Sequence, residues 1–414
     1  MPALPESAVL HPGDLLSRRR RIGYVLVLGA LTGLGPFTLD MYLPAFPLMG
    51  EDLAVPMSAI QLTLTGTTVG FGLGQLLMGP FSDRVGRRLP LLLATAVHVL
   101  ASVGALVSED IGVLTVFRFL QGAGASAGAV VATAIVRDLF TGHPLVRMLS
   151  LLALIFGIAP VVAPVVGSQL LLVTDWRGMF GLLACYGLLI LLLAALVVRE
   201  TLPPERRSVR GHSTTGERFR ALARDRVYVG IAVVAGMNFS GLFAYLAASP
   251  FLFQEFYDLG PQGYGLLFAA NSVGTALGVQ TASWLTRRWG PQWILAAAVA
   301  LQLCAALAIM LLALAGTGFL GVAIPLWFFI VGCGLTFPCV QVLALVGHGA
   351  EAGTAASVQG AVCFILGGIV SPVVGLLPGP GAAPMASIML VAAALGALAL
   401  WVIVRPATVP PIDG

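Results

Sequence analysis

The chain has 414 residues, of which 58% are hydrophobic and 10% charged, with a mean hydropathy of +0.97. A soluble domain carries about 25% charged residues, so this composition excludes a large soluble core and describes an integral membrane protein. All 22 basic residues are arginine and the formal net charge is +4; without lysine there is no G-x-x-x-x-G-K phosphate loop and no Schiff-base chemistry.

One span needs about 20 apolar residues. The pattern predicts twelve, at 22–47, 57–80, 89–107, 111–136, 148–172, 179–198, 228–252, 264–285, 292–315, 319–346, 354–377 and 385–404. Arginine placement orients them. With the N-terminus inside, every basic residue except Arg118, within a span, and Arg177 falls on the cytoplasmic side. Glu51, Asp52, Glu109, Asp110, Asp175, Glu255 and Asp258 fall outside. Both termini are therefore expected in the cytoplasm, and the pI near 9.0 reflects sidedness, not nucleic-acid binding. The Arg18–Arg21 run precedes an apolar stretch too long for a signal peptide and reads as an anchor of the first span.

The longest polar stretch, from Arg199 to Arg226, divides the spans six and six. The expected organisation is a cytoplasmic tail at 1–21, a six-helix bundle at 22–198, a linker at 199–227, a second bundle at 228–404 and a tail at 405–414. A faint repeat at an offset of 204 relates them: Gly74 to Gly278, Ser82–Gly86 to Thr286–Gly290, and Leu91 to Leu295. Two such halves suit a rocker with its site at the midplane.

Two charges lie well inside hydrocarbon. Asp40 sits near the outer end of the first span and Arg118 at a matching depth in the fourth. A charge there costs at least ~2.5–3.5 kcal/mol, so a proton-trading or ligand-binding pair is the favoured reading and a static ion pair the alternative. The five cysteines all fall within spans, read as small buried hydrophobes and form no metal-ligand set. His98, in the third span, reads as structural. Scattered histidines and the absence of any H-E-x-x-H leave no catalytic constellation, so neither an enzyme nor a metal or cofactor is expected.

Gly79-Pro80-Phe81-Ser82-Asp83-Arg84-Val85-Gly86-Arg87-Arg88 closely resembles the G-x-x-x-D-R-x-G-R-R loop of the major facilitator superfamily. The resemblance implies a conformational latch built on Asp83, Arg84, Gly86 and Arg87. Arg118-Phe119-Leu120-Gln121-Gly122-Ala123-Gly124 resembles that superfamily's R-x-x-Q-G-x-G motif, whose arginine is implicated in proton coupling. Arg118, Gln121 and Gly122 share one helix face. The run from Gly157 to Ser168 resembles the motif of antiporters among drug exporters, with Pro160, Pro164 and Gly167 as its marks. Ala163 and Ser168 stand where that pattern has glycine.

Leu39–Pro47, Glu200–Arg207 and Gly353–Gly360 together resemble the bicyclomycin/chloramphenicol-resistance (Bcr/CflA) group of proton-driven drug exporters. The resemblance implies an all-α fold of twelve transmembrane helices in two pseudo-symmetric six-helix bundles, in the bacterial inner membrane. It implies a monomeric antiporter that exports small, mostly apolar drugs against protons, with Asp40 and Arg118 coupling the proton and no cofactor beyond the gradient. In this fold spans 1, 4, 7 and 10 line the cavity, which makes Tyr42, Gln121, Asn238, Tyr245, Trp327 and Phe337 candidate substrate contacts. A metabolite or nutrient transporter of the same fold is the alternative.

Overall fold

The computed structural model describes residues 17–207, 220, 222–345, 352–379 and 381–408. Most of the expected N-terminal tail, the end of the C-terminal tail, the middle of the linker, His11, His212 and His348 lie outside the described residues. Twelve long helices carry the fold, and no strand occurs among the described residues. They are α1 (Arg18–Asp40), α2 (Met57–Val85), α3 (Arg88–Leu106), α4 (Ile111–Leu139), α5 (Gly142–Leu170), α6 (Trp176–Val197), α7 (Arg226–Phe251), α8 (Gly260–Trp289), α9 (Pro291–Leu314), α10 (Gly318–Leu345), α11 (Ala352–Leu376) and α12 (Ala383–Leu398).

The packing repeats. In the first half α2 lies on α4, α3 lies on α4 and α6, and α1 touches α4, α5 and α6; six helices later the same set recurs. There α8 lies on α10, α9 on α10 and α12, and α7 touches α10, α11 and α12. The halves meet along two seams, α2 with α11 and α5 with α8. The repeat also holds at the level of turns. Gly86 closes α2 at φ +111° and donates its N–H to the Ser82 carbonyl (3.1 Å). Gly290 closes α8 at φ +76° and donates to Thr286 (3.2 Å). An L side chain rarely adopts such φ values, so both turns favour glycine. Leu91 and Leu295 are both fully buried.

One end of the molecule carries Arg87, Arg88, Arg199, Arg287 and Arg288, and is the basic face; the other carries Glu51, Asp52, Glu109, Asp110 and Asp175. At the acidic face the halves are sealed. The Phe46 and Phe251 rings stand 6.0 Å apart, and Gln61 Nε2 donates to the Ala247 carbonyl (2.9 Å). The α5–α8 seam is hydrogen-bonded from Gln262–Ser168 (3.0 Å) to Ser272–Pro160 (3.4 Å). Nearer the basic face, a Cβ placed at Gly157 of α5 meets nothing within 4 Å.

Three expectations are corrected. The first span does not run unbroken to Pro47: α1 ends at Asp40, and a 3-10 turn (Leu43–Ala45) and a seven-residue helix (Phe46–Asp52) follow. Pro44 has no N–H to offer the Asp40 carbonyl, which favours the break there, and Pro47 sits in the first turn of the short helix, where a missing N–H costs little. Several helices also outrun hydrocarbon, α2 reaching Val85 and α8 Trp289. Cys185 and Cys304 are exposed, whereas Cys333, Cys339 and Cys363 are buried.

Ten of the twelve helices are long and apolar enough to cross a membrane by composition; α2 and α8 fall short. Their polarity is spent internally. On α2, Thr67 and Thr68 donate to the carbonyls of Thr63 (2.8 Å) and Leu64 (2.9 Å), and Thr65 donates to Gly368 of α11 (2.7 Å). Hydroxyls bonded this way need no water, so a threonine-rich helix is stable between two protein neighbours.

Candidate functional site

Arg118 is fully buried on α4, and three helices converge on it. Its Nη2 donates to the Thr38 carbonyl (2.8 Å) and its Nη1 to Gln121 Oε1. The guanidinium carbon lies 3.9 Å from the Tyr42 ring centroid and 5.4 Å from that of Phe180. A desolvated cation over an aromatic face gains about 2 kcal/mol, which offsets part of its burial.

The hydrogen bonds then close a ring. Gln121 Nε2 donates to Ser102 Oγ (2.7 Å), and Ser102 donates to the His98 carbonyl (2.7 Å). The His98 Nε2 atom lies 2.9 Å from Thr38 Oγ1. Thr38 belongs to α1, His98 and Ser102 to α3, Arg118 and Gln121 to α4. Glycine brings these helices together. A Cβ at Gly122 would strike the Thr67 carbonyl of α2, and one at Gly124 would come within 2.7 Å of the His98 nitrogen. Small residues are what allow helices to approach this closely.

Asp40 is the last residue of α1 and is buried, 6% exposed. It does not pair with Arg118: among the described residues no ion pair joins them, and the guanidinium goes instead to the carbonyl two residues earlier. This corrects the expectation of an Asp40–Arg118 pair in this conformation. Asp40 faces the second half, within electrostatic reach of the Tyr245 hydroxyl on α7 and the Tyr264 hydroxyl on α8. Asn271 donates to Tyr245 (3.1 Å), and Ser249 and Tyr264 share a hydrogen bond (3.0 Å). Asn271 Oδ1 has no partner among the described residues.

The chain break after Asp40 is wedged between the halves. The Leu43–Ala45 turn touches α5 on its own side and α7 and α8 on the other. Gly167 permits this, since a Cβ there would overlap the Met41 carbonyl. The following Ser168, which departs from the antiporter pattern, fits because α8 presents Gly265 to it. α5 remains helical through Pro160 and Pro164.

Four of the six expected substrate contacts are locked in packing here. Tyr42 lies fully buried under Arg118, with its hydroxyl on Thr63 (3.2 Å). Gln121 belongs to the ring, Tyr245 holds Asn271, and Asn238 accepts from Gln302 (2.9 Å). Trp327 is half-buried and donates to the Ala270 carbonyl (3.1 Å), tying α10 to α8. Phe337, also half-buried, stacks edge-on with Phe239 (5.6 Å). Phe239 and Phe243 in turn meet Phe364 of α11, which lies 4.7 Å from Phe71 of α2. Sequence reasoning missed this aromatic bridge between halves, although Phe239 and Phe243 are four apart on one face of α7.

At the basic face, the Arg84 side chain is exposed, while Arg87 organises the 82–88 loop. It donates to Asp83 (2.5 Å), Ser82 Oγ (2.9 Å) and Asp138 of α4 (2.9 Å). Burial opposes its charge, but its hydrogen bonds to Asp138 and Asp83 outweigh that and leave Arg87 more basic than usual. Glu200, just past α6, accepts from the N–H groups of Arg87 (2.8 Å), Arg88 (3.3 Å), Thr201 (3.0 Å) and Leu202 (2.9 Å). Partial burial works against its ionised form, yet these backbone donors hold the carboxyl below its ordinary value. Thr201 adds a bond to Asp138 (3.0 Å). Every one of these loop contacts lies within the first bundle or the start of the linker.

The Major Facilitator Superfamily profile matches residues 26–372. An uncharacterized MFS-type transporter of Bacillus subtilis (strain 168) is 36% identical over 92% of this chain and 96% of its own length. A bicyclomycin resistance protein homolog of Haemophilus influenzae is 32% identical over 87% of this chain and 91% of its own. Among solved structures, a partially occluded inward-open form of a xylose transporter from E. coli superposes with a TM-score of 0.72 at 15% identity, covering 95% of this chain and 98% of that one. At that identity it speaks for the fold alone.

Proposed function

The chain belongs to the Major Facilitator Superfamily, and from that premise we propose that it is a proton-coupled exporter of small, mostly apolar antibiotics or toxins. Its likeness to a bicyclomycin resistance protein homolog favours phenicol- or bicyclomycin-like cargo. The basic face is the cytoplasmic one in this reading, and the membrane is the bacterial inner membrane.

The observation that carries the reading is Asp40: a buried acid at the end of a broken helix, wedged between both halves, with a buried cation held two residues away. The conformation described here, sealed at the acidic face, is then inward-facing. Asp40 takes a proton from outside when the halves rock the other way, and releases it inside. Drug binding and Asp40 protonation exclude each other, which couples the two flows. Each proton moved contributes about 2.3 kcal/mol per 100 mV of membrane potential. The 82–88 loop acts as the latch, with Asp83 exchanging Arg87 for a contact on the second half as the basic face closes.

The test is uphill transport in proteoliposomes under an imposed pH gradient, across a panel of phenicol- and bicyclomycin-like drugs. Wild type accumulates at least one of them; Asp40→Asn, nearly isosteric and unable to carry a proton, folds and accumulates none. A gradient of normal size built by Asp40→Asn removes Asp40 from the mechanism.

A further inference from the structure

We propose that His98 is a positioning residue for proton coupling: through Thr38 it fixes the carbonyl that holds the Arg118 guanidinium away from the Asp40 carboxyl. The inference deepens the reading of Asp40 as the proton carrier and rests on it.

The hydrogen-bond directions are determined by counting protons. The Thr38 hydroxyl has one, and it goes to the Leu34 carbonyl at 2.6 Å. The 2.9 Å contact with His98 therefore has Nε2–H donating to Thr38 Oγ1. In that tautomer the ring is neutral and Nδ1 carries a bare lone pair. Nδ1 is buried and has no partner among the described residues. An unpaired buried acceptor costs about 1–3 kcal/mol. A leucine would fill the same space without that cost, so packing alone does not account for a histidine here.

The groups around the two titratable side chains are few. Arg118 of α4 is the charged group facing the ring; α1 brings Thr38, and α6 brings Gly187, where a Cβ would lie 3.0 Å from Nδ1. From the second half, Tyr245 of α7 and Tyr264 of α8 face Asp40. Thr38 lies in the last turn of α1, where carbonyls lack a helical N–H partner, and its hydroxyl, held by both His98 and Leu34, anchors that turn. Its carbonyl stays on Arg118, and the cation stays off the acid.

The molecule contains its own control. Gln302 of α9 stands 204 residues after His98, at the equivalent place in the repeat. It too is buried and donates to a residue of the first helix of its half, Asn238 (2.9 Å). An amide N–H can therefore serve where His98 Nε2–H serves.

The test follows the infrared carboxyl band of Asp40, identified by its loss in Asp40→Asn, against pH in the purified full-length protein. In His98→Leu the freed guanidinium pairs with the carboxylate and the titration midpoint moves to lower pH by about one unit, a tenfold change in proton affinity. Thr38→Val, isosteric and lacking the acceptor, gives the same shift and keeps the test sound should His98→Leu fold poorly. His98→Gln restores the wild-type midpoint. An unchanged midpoint in folded Thr38→Val overturns the positioning role. If Asp40→Asn removes no titrating band from the wild-type spectrum, Asp40 exchanges no proton, and the carrier reading fails together with this inference.

Discussion

The two halves build the same polar hub and put it to different ends. In the first, His98 of α3 reaches Thr38 of α1, and its backbone closes through Ser102 and Gln121 onto Arg118 of α4. In the second, Gln302 of α9 reaches Asn238 of α7 and Thr336 of α10, both at 2.9 Å. Each hub clamps the first, third and fourth helices of its half. One surrounds a buried cation beside a buried acid; the other contains only neutral groups. The turns differ likewise. Gly86 and Gly290 close α2 and α8 alike, yet among the described residues only the first turn carries a carboxylate network, through Arg87, Asp83, Asp138 and Glu200. At the second, Arg288 rests 5.0 Å from the Trp284 ring. The scaffold repeats, and among the described residues the buried charges do not.

The sharpest way to break this contrast is Arg118→Ala. Drug transport should fall at least about tenfold while the protein still reaches the membrane, because about 1.4 kcal/mol of altered coupling suffices for that factor. Arg118→Lys should recover only part, since an ammonium lacks the planar fork that serves Thr38 and Gln121 together. Transport assays beside expression levels decide it; wild-type rates in the alanine variant would make the two hubs functionally equal.

Gln302→Leu probes the neutral hub. It strands the polar atoms of Asn238 and Thr336, so stability should drop by about 1–3 kcal/mol. The pH profile of transport should stay put. A shifted profile, read from initial rates across pH, would mean that the second hub also handles protons.

The smallest effect is expected at Glu200. Its carboxyl is held below its ordinary value, so its contribution is present above the unfolded-state value and is lost as pH falls toward the folded one. Thermal melting at neutral and acid pH should therefore show wild type losing slightly more stability on acidification than Glu200→Gln. Equal losses would mean the four N–H contacts contribute nothing measurable.

Much of this was legible in the sequence, for identifiable reasons. Hydrophobic runs of membrane length fix helix number, and the offset of 204 residues anticipates turns with matching φ signs. Asp40 and Arg118 stand out because charge in hydrocarbon is costly. Their separation was not legible: which acceptor Arg118 takes depends on the break at Pro44 and on a carbonyl, and carbonyls are identical in every residue. Thr38 and Ser102 were missed because a threonine or serine in a span usually bonds back into its own helix. Both do so here, at Leu34 and His98, while serving a second partner as well. Tyr42 and Asn238 were expected at the cavity because spans 1 and 7 were expected to line it; Asn238 instead turns to Gln302, and Tyr42 lies beyond the end of α1, under Arg118.

The polarity of α2 and α8 also governs how the chain is made. A helix of that composition partitions poorly into lipid when it leaves the ribosome alone. The partner in its own half that covers α2 is α4, synthesised some tens of residues later, and α11 follows only near the end of translation. The α8 helix finds α5 already made, and its partner within its own half, α10, comes later. Strictly sequential insertion is therefore disfavoured for α2, which is expected to linger at the translocon until α4 arrives, whereas α8 can lean on α5 from the start.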